Sequence, residues 1–240
     1  MDSETQQRLT GIQASTDRLL AAASALTDAQ ASAPSRLPGW TRGHVLTHLA
    51  RNADGFCNLL YWARTGTKTP MYPSEAARNE GIEGGSKRSA AELAADVRGT
   101  AAAFAAAAAG LPEAAWAAVV ERRGVPFPAP EILRARLSEL EFHHVDLGSG
   151  YQPDEWPAEF VADALPRVAR SFAGRPDMTA CRLAPDGWPD GFLVGPAGPD
   201  TDLVVHGAPG RLLAWLSGRA DGTGLQVTGA AAVPVPPPWG

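Results

Sequence analysis

The sequence predicts a mainly α-helical protein: a four-helix bundle over residues 1–150, followed by a small α+β domain over 151–240. Three observations lead there. Four segments before residue 150 carry apolar residues at helical spacing. After Gly150 the texture changes to short β-like runs separated by Gly, Pro and Asp. Four of the five histidines fall on only two of the predicted helices.

The first helix spans about Ser3 to Leu26, with Leu9, Ile12, Leu19, Leu20 and Ala23 forming an amphipathic stripe. Pro34 and Leu37-Pro38-Gly39 then interrupt the chain. A second helix runs from about Thr41 to Thr65, and its inward face carries Val45, Leu49, Phe56 and Leu59 together with His48 and Asn52. Residues Gly66 to Lys87, rich in Gly, Pro and charge, read as a long functional loop. Ser89-Ala90-Ala91-Glu92 is a capping-box pattern that opens an Ala-rich helix ending before Gly110. Pro126, Pro128 and Pro130 break the chain before a fourth helix from Pro130 to Leu147, closed by Gly148.

Beyond Gly150 one helix is expected over Ala158 to Phe172, bent at Pro166. Strand-like pieces follow at Thr179–Leu183, Gly191–Val194, Leu203–His206 and Leu225–Thr228, with a short helix over Arg211–Gly218. The Pro-rich tail from Pro234 to Trp239 has no periodicity.

Composition narrows the function classes. A chain of 240 residues with 45% hydrophobic and 20% charged residues can bury a real core rather than remain disordered. Its net charge of −5 argues against nucleic acid as a partner, because such binders cluster Lys and Arg. Two distant cysteines, Cys57 and Cys181, form neither a disulfide framework nor a cysteine zinc site. The acidic, polar start lacks the positive charge expected of a signal peptide, and no apolar run reaches the roughly 20 residues of a membrane span. A cytoplasmic protein acting on small molecules is expected, with its oligomeric state left open.

Glu139 and His143 lie four apart on the fourth helix and therefore share a face. His48 projects inward from the second. Two imidazoles and a carboxylate on facing helices suit a divalent metal with one position open, which is a catalytic rather than structural arrangement. Zinc fits these donors best, although spacing alone does not choose the metal. Nor does spacing choose the ligands. His44 and His48 are also four apart, His144 lies three after Glu141, and a solvated helical pair or a core histidine has the same signature. Asn52, one turn beyond His48, fits a ligand-orienting group, a substrate contact or a core hydrogen bond equally. Cys57, mid-helix in an apolar run, reads as a packing residue.

The stretch Gly39-Trp40-Thr41-Arg42-Gly43-His44, continuing through His48 and Asn52-Ala53, resembles the second helix of mycothiol-dependent maleylpyruvate isomerases, members of the DinB-like superfamily. The likeness continues through Cys57-Asn58-Leu59, Thr69-Pro70-Met71-Tyr72 and Ala77-Arg78-Asn79-Glu80. It returns at Glu139, at His143 and Val145-Asp146-Leu147-Gly148, and at Gly218-Arg219. The resemblance implies zinc (Zn2+) held by His48, Glu139 and His143, with Arg219 as an essential C-terminal residue. It also implies that His144 is no ligand and that the C-terminal domain is similar to sterol carrier proteins.

The activity so implied is conversion of maleylpyruvate to fumarylpyruvate, a step of the gentisate route of aromatic catabolism, with mycothiol as cofactor. A zinc-activated thiolate would add to the double bond, allow rotation and leave. Arg219 would hold a substrate carboxylate or stabilise the developing enolate. Two alternatives carry different expectations: a mycothiol S-transferase acting on other electrophiles, and a non-catalytic binding module with no need of stoichiometric metal.

Overall fold

In the computed structural model, which describes residues 3–196 and 201–239, the chain divides into two compact units, Met1–Gly150 and Tyr151–Gly240. Four long helices build the first: α1 (Ser3–Ser24), α3 (Arg42–Thr65), α5 (Ala90–Ala109) and α6 (Ala129–Leu147). Both α1 and α3 pack against α5 and α6, so α1 and α3 face one another across the bundle diagonal. The expected inward face of α3 is inward: Val45, Leu49, Phe56 and Leu59 are fully buried in the core, with Leu19, Leu93, Val97 and Phe104 from the neighbouring helices. Helix ends follow the sequence closely. Thr41 caps α3 and Ser89 closes a capping box with Glu92, while Gly148 ends α6 at a φ of 67° that favours glycine.

Three elements depart from the sequence reading. A short helix α2 (Asp28–Ser32) follows a capping box made by Thr27 and Gln30. The segment 66–87 is not a loop throughout, because it contains helix α4 (Glu75–Gly85). Ser74 starts that helix by accepting the Ala77 amide, and Ile82 anchors it in the core. Gly81, Gly84 and Gly85 masked its pattern, yet Gly85 serves close packing: a Cβ there would collide with the Thr47 side chain.

The third departure is a hairpin, β1 (Val119–Arg122) with β2 (Val125–Pro128), where prolines suggested only a break. Its two-residue turn, Arg123-Gly124, has φ of 54° and 76°, the doubly positive pattern of a tight hairpin. A two-stranded ribbon consists only of edges, and edge positions tolerate Pro126 and Pro128.

The second unit carries α7 (Ala158–Phe172), which continues through Pro166, and α8 (Pro209–Leu216) packed on it. Its four-stranded sheet comprises β3 (Cys181–Pro185), β4 (Phe192–Val194), β5 (Val204–Gly207) and β6 (Gln226–Thr228). The order is β4-β3-β5-β6, with β3 and β5 parallel and the outer pairs antiparallel. Among the described residues no helix is long and apolar enough to cross a membrane.

Candidate metal centre

Residues from the N-terminal turns of α3 and the C-terminal half of α6 meet across the bundle. Thr41 and His44 form the cap of α3: His44 Nδ1 accepts the Thr41 amide at 3.1 Å, and its Nε2 lies 3.3 Å from Glu83. That use removes His44 from the ligand set. One turn further on, His48 is buried, and Trp40 packs edge-on against its ring with centroids 5.6 Å apart. Across from it, Glu139, His143 and Asp146 follow one another along a single face of α6.

Three donor atoms converge. His48 Nε2 lies 3.0 Å from Glu139 Oε2 and 3.1 Å from His143 Nε2, and His143 Nε2 lies 3.3 Å from Glu139 Oε2. Adjacent ligands on a tetrahedral ion with bonds of about 2.0–2.1 Å stand about 3.3 Å apart. The triangle therefore has the dimensions of one face of such a site, and the donor set of two nitrogens and one oxygen suits zinc. Among the described residues this is the one cluster of His, Cys, Asp and Glu with such convergence.

The surroundings hold each of the three side chains in place. Asp146 Oδ2 sits 2.9 Å from His143 Nδ1, orienting that ring from behind. Arg122 Nη2 donates to Glu139 Oε1 at 3.3 Å, which leaves Oε2 turned toward the two imidazoles. The Arg122 guanidinium is itself set between the rings of Phe56 and Phe127, 5.6 and 5.5 Å from their centroids. Arg78 Nη2 approaches His48 Nδ1 at 3.3 Å.

Burial lowers the pKa of His48, although its hydrogen bond to Glu139 opposes that shift. Burial also works against protonating His143, but hydrogen bonds to Asp146 and Glu139 outweigh it and the net shift is upward. Burial would raise Glu139, yet hydrogen bonds from His143 and His48 hold its carboxyl well below the ordinary carboxylate range.

The centre opens into a cavity of about 550 Å³ whose wall includes His48, Asn52 and Glu139. Lys68, Arg78, Arg122 and Arg123 also line it against Glu75, Glu121 and Glu139, so cations exceed anions by one, and Lys68 is paired with Glu121 at 2.6 Å.

Residues 12–148 match the model of the mycothiol maleylpyruvate isomerase N-terminal domain. The chain belongs to that family. It also superposes on a crystal structure of the mycothiol-dependent maleylpyruvate isomerase with a TM-score of 0.88 and 30% identity, covering 98% of this chain and 97% of that one. A histidine-to-alanine variant of that isomerase matches with the same TM-score, at 29% identity and the same coverage. No curated protein gives a significant match.

Within this mycothiol maleylpyruvate isomerase fold, His48, Glu139 and His143 come together, whereas His144 and Glu141 turn elsewhere. Glu141 is buried against Ser15 and pairs with Arg18 at 2.7 Å. His144 is also buried, and desolvation pushes its pKa down to about 4. Arg219 lies in the second unit just after α8, where its Nη1 donates to the Ser217 carbonyl at 2.7 Å and its guanidinium lies 5.9 Å from the Trp239 ring centroid. Cys57 is half-buried, and burial pushes its thiol up to about 11, which suits a packing role.

Sequence reasoning missed the cations of the cavity. Arg78 sat inside a matched segment, but assigning that segment to a loop hid its placement on α4. Arg122 had no signal, because the hairpin that presents it was not foreseen.

Proposed function

We propose that the chain is a mycothiol-dependent maleylpyruvate cis–trans isomerase whose His48, Glu139 and His143 hold a zinc ion. The observation that carries this reading is the triangle of donor atoms 3.0–3.3 Å apart, facing a cavity that Arg78 and Arg122 line. Bound zinc with an open position would favour the thiolate form of mycothiol by coordination. When bound, mycothiol would supply the sulfur nucleophile for reversible addition to the cis double bond.

Charge counting supports anionic reactants. Glu139 and Asp146 are balanced by Arg78 and Arg122 around the triangle. A divalent ion then adds two positive charges, which an anionic sulfur and an anionic substrate offset. Arg78 has a second part. As a donor, it matches a His48 whose Nδ1 accepts; a His48 that ligates through Nε2 carries its proton on Nδ1, so Arg78 must leave it. That releases the Arg78 guanidinium toward the cavity, where it serves a substrate carboxylate. Arg219 is assigned the same task for another carboxylate.

The test supplies maleylpyruvate to the zinc-loaded protein with and without mycothiol and follows the enediketone absorbance. Turnover that requires both mycothiol and His48 is expected. Conjugation of a halogenated aromatic without isomerisation would replace the proposal with a transferase. Full activity of His48→Ala would remove the metal centre from the reaction.

A further inference from the structure

Asn52 occupies the cavity wall one helical turn beyond His48 and is 1% exposed. Its Oδ1 accepts a hydrogen bond from Arg136 Nη1 at 2.9 Å. Arg136 is fully buried in α6, and the same Nη1 also donates to the Leu49 carbonyl at 2.9 Å. A guanidinium only donates, so this contact fixes which end of the Asn52 amide is oxygen. The amide nitrogen, Nδ2, must then point away from Arg136. Nδ2 has no hydrogen-bond partner among the described residues, yet it is not among the sealed, unsatisfied polar atoms of the interior. It is a donor left open on the wall of a cavity that also contains His48 and Glu139.

We infer that Asn52 is a catalytic hydrogen-bond donor, holding through Nδ2 the substrate oxygen on which negative charge develops. The inference rests on the isomerase reading above. As the C–S bond forms from the thiolate lone pair, the alkene pair moves to form an enolate C=C. The carbonyl pair then passes to oxygen, and the former double bond becomes single and can rotate. Collapse of the enolate restores the alkene and expels the thiolate, so no atom or electron is gained or lost. Negative charge rests on one carbonyl oxygen throughout the rotation. A neutral donor preset by a buried cation stabilises that oxygen without any reorganisation. Arg136 is the positioning residue: it sets the amide without itself presenting charge to the cavity.

The test uses zinc-loaded protein and the variants Asn52→Asp and Asn52→Ser. Asn52→Asp retains the shape and the partner of Arg136 but loses the donor, so it is expected to keep stoichiometric zinc and thermal stability. Its kcat should fall about 10²–10³-fold, the usual cost of removing one such donor. Asn52→Ser, with a hydroxyl donor and no added charge, should recover part of that loss. Maleate serves as an equilibrium probe of anion binding to the wild type and both variants, and its dissociation constant should rise at least about tenfold in Asn52→Asp. Unchanged kcat together with unchanged maleate affinity in Asn52→Asp overturns the inference. So does a parallel loss of zinc, which would make the residue structural. A wild type that binds zinc and maleate but does not isomerise maleylpyruvate sinks the isomerase reading alone, and the maleate comparison then decides whether Asn52 is an anion donor.

Discussion

Asp146 stands one helical turn beyond His143 and holds the back of its ring, 2.9 Å from Nδ1. It is itself buried, so the carboxylate is held away from solvent beside the ring. A ligand held from behind presents its other nitrogen in one direction and one tautomer. Asp146→Asn is therefore expected to weaken zinc affinity about 10–100-fold without unfolding the bundle. Competition with a chromophoric chelator measures this, and an unchanged affinity would make Asp146 a bystander.

Arg122 is expected to do the same for Glu139. Arg122→Met preserves contact with Phe56 and Phe127 but frees Glu139 Oε1. Zinc affinity should drop by about tenfold or more, with Arg123→Ala as a control that leaves it unchanged. Tighter zinc binding in Arg122→Met would show that charge repulsion, not orientation, is the dominant effect of the guanidinium.

Arg219→Ala should separate metal from chemistry. The variant is expected to keep one zinc per chain and lose most of its turnover. An unchanged kcat/KM would withdraw Arg219 from the reaction.

Both thiols should be sluggish. Burial pushes Cys57 and Cys181 up to about 11 each. Raised values keep the thiol form, so only about a thousandth of each is ionised at pH 8, and reactivity should climb only as the pH approaches 11. Alkylation rates at pH 8 far below those of a free thiol, with activity retained, are the expected result. Rapid labelling of Cys57 that tracks loss of turnover would give that thiol a part in the reaction.

Arg136 makes a stability prediction. Arg136→Ala removes a fully buried side chain and leaves Asn52 Oδ1 without its donor. The loss should be about 2–5 kcal/mol by denaturant unfolding. Arg136→Met fills most of the volume and should recover part of it.

Much of this architecture could be read in advance, for identifiable reasons. The second, third and fourth helices were legible because apolar spacing, Thr41, Ser89 and Gly148 agreed with one another about where helices begin and end. The ligand triangle was not legible from spacing. His44 and His48 share a period, and only folding commits His44 to the Thr41 cap and Glu83. Resemblance to a family broke that tie. Helix α4 escaped because Gly81, Gly84 and Gly85 weaken the local pattern, and what holds it is Ile82 and close packing on Thr47. The hairpin escaped because proline signals a break to any local reading, while tolerance at a strand edge is a tertiary property. Asn52 was readable as either a core or a site residue, and its two ends serve one role each.

A chain of net charge −5 sets Lys68, Arg78, Arg122 and Arg123 against Glu75, Glu121 and Glu139 around one recess, which therefore keeps a small positive excess that a divalent ion would enlarge. The chain as a whole repels small anions, whereas the ion-loaded recess would draw them. Encounter with a dianion should then be faster than diffusion to a neutral patch, and added salt should slow capture more than any later event.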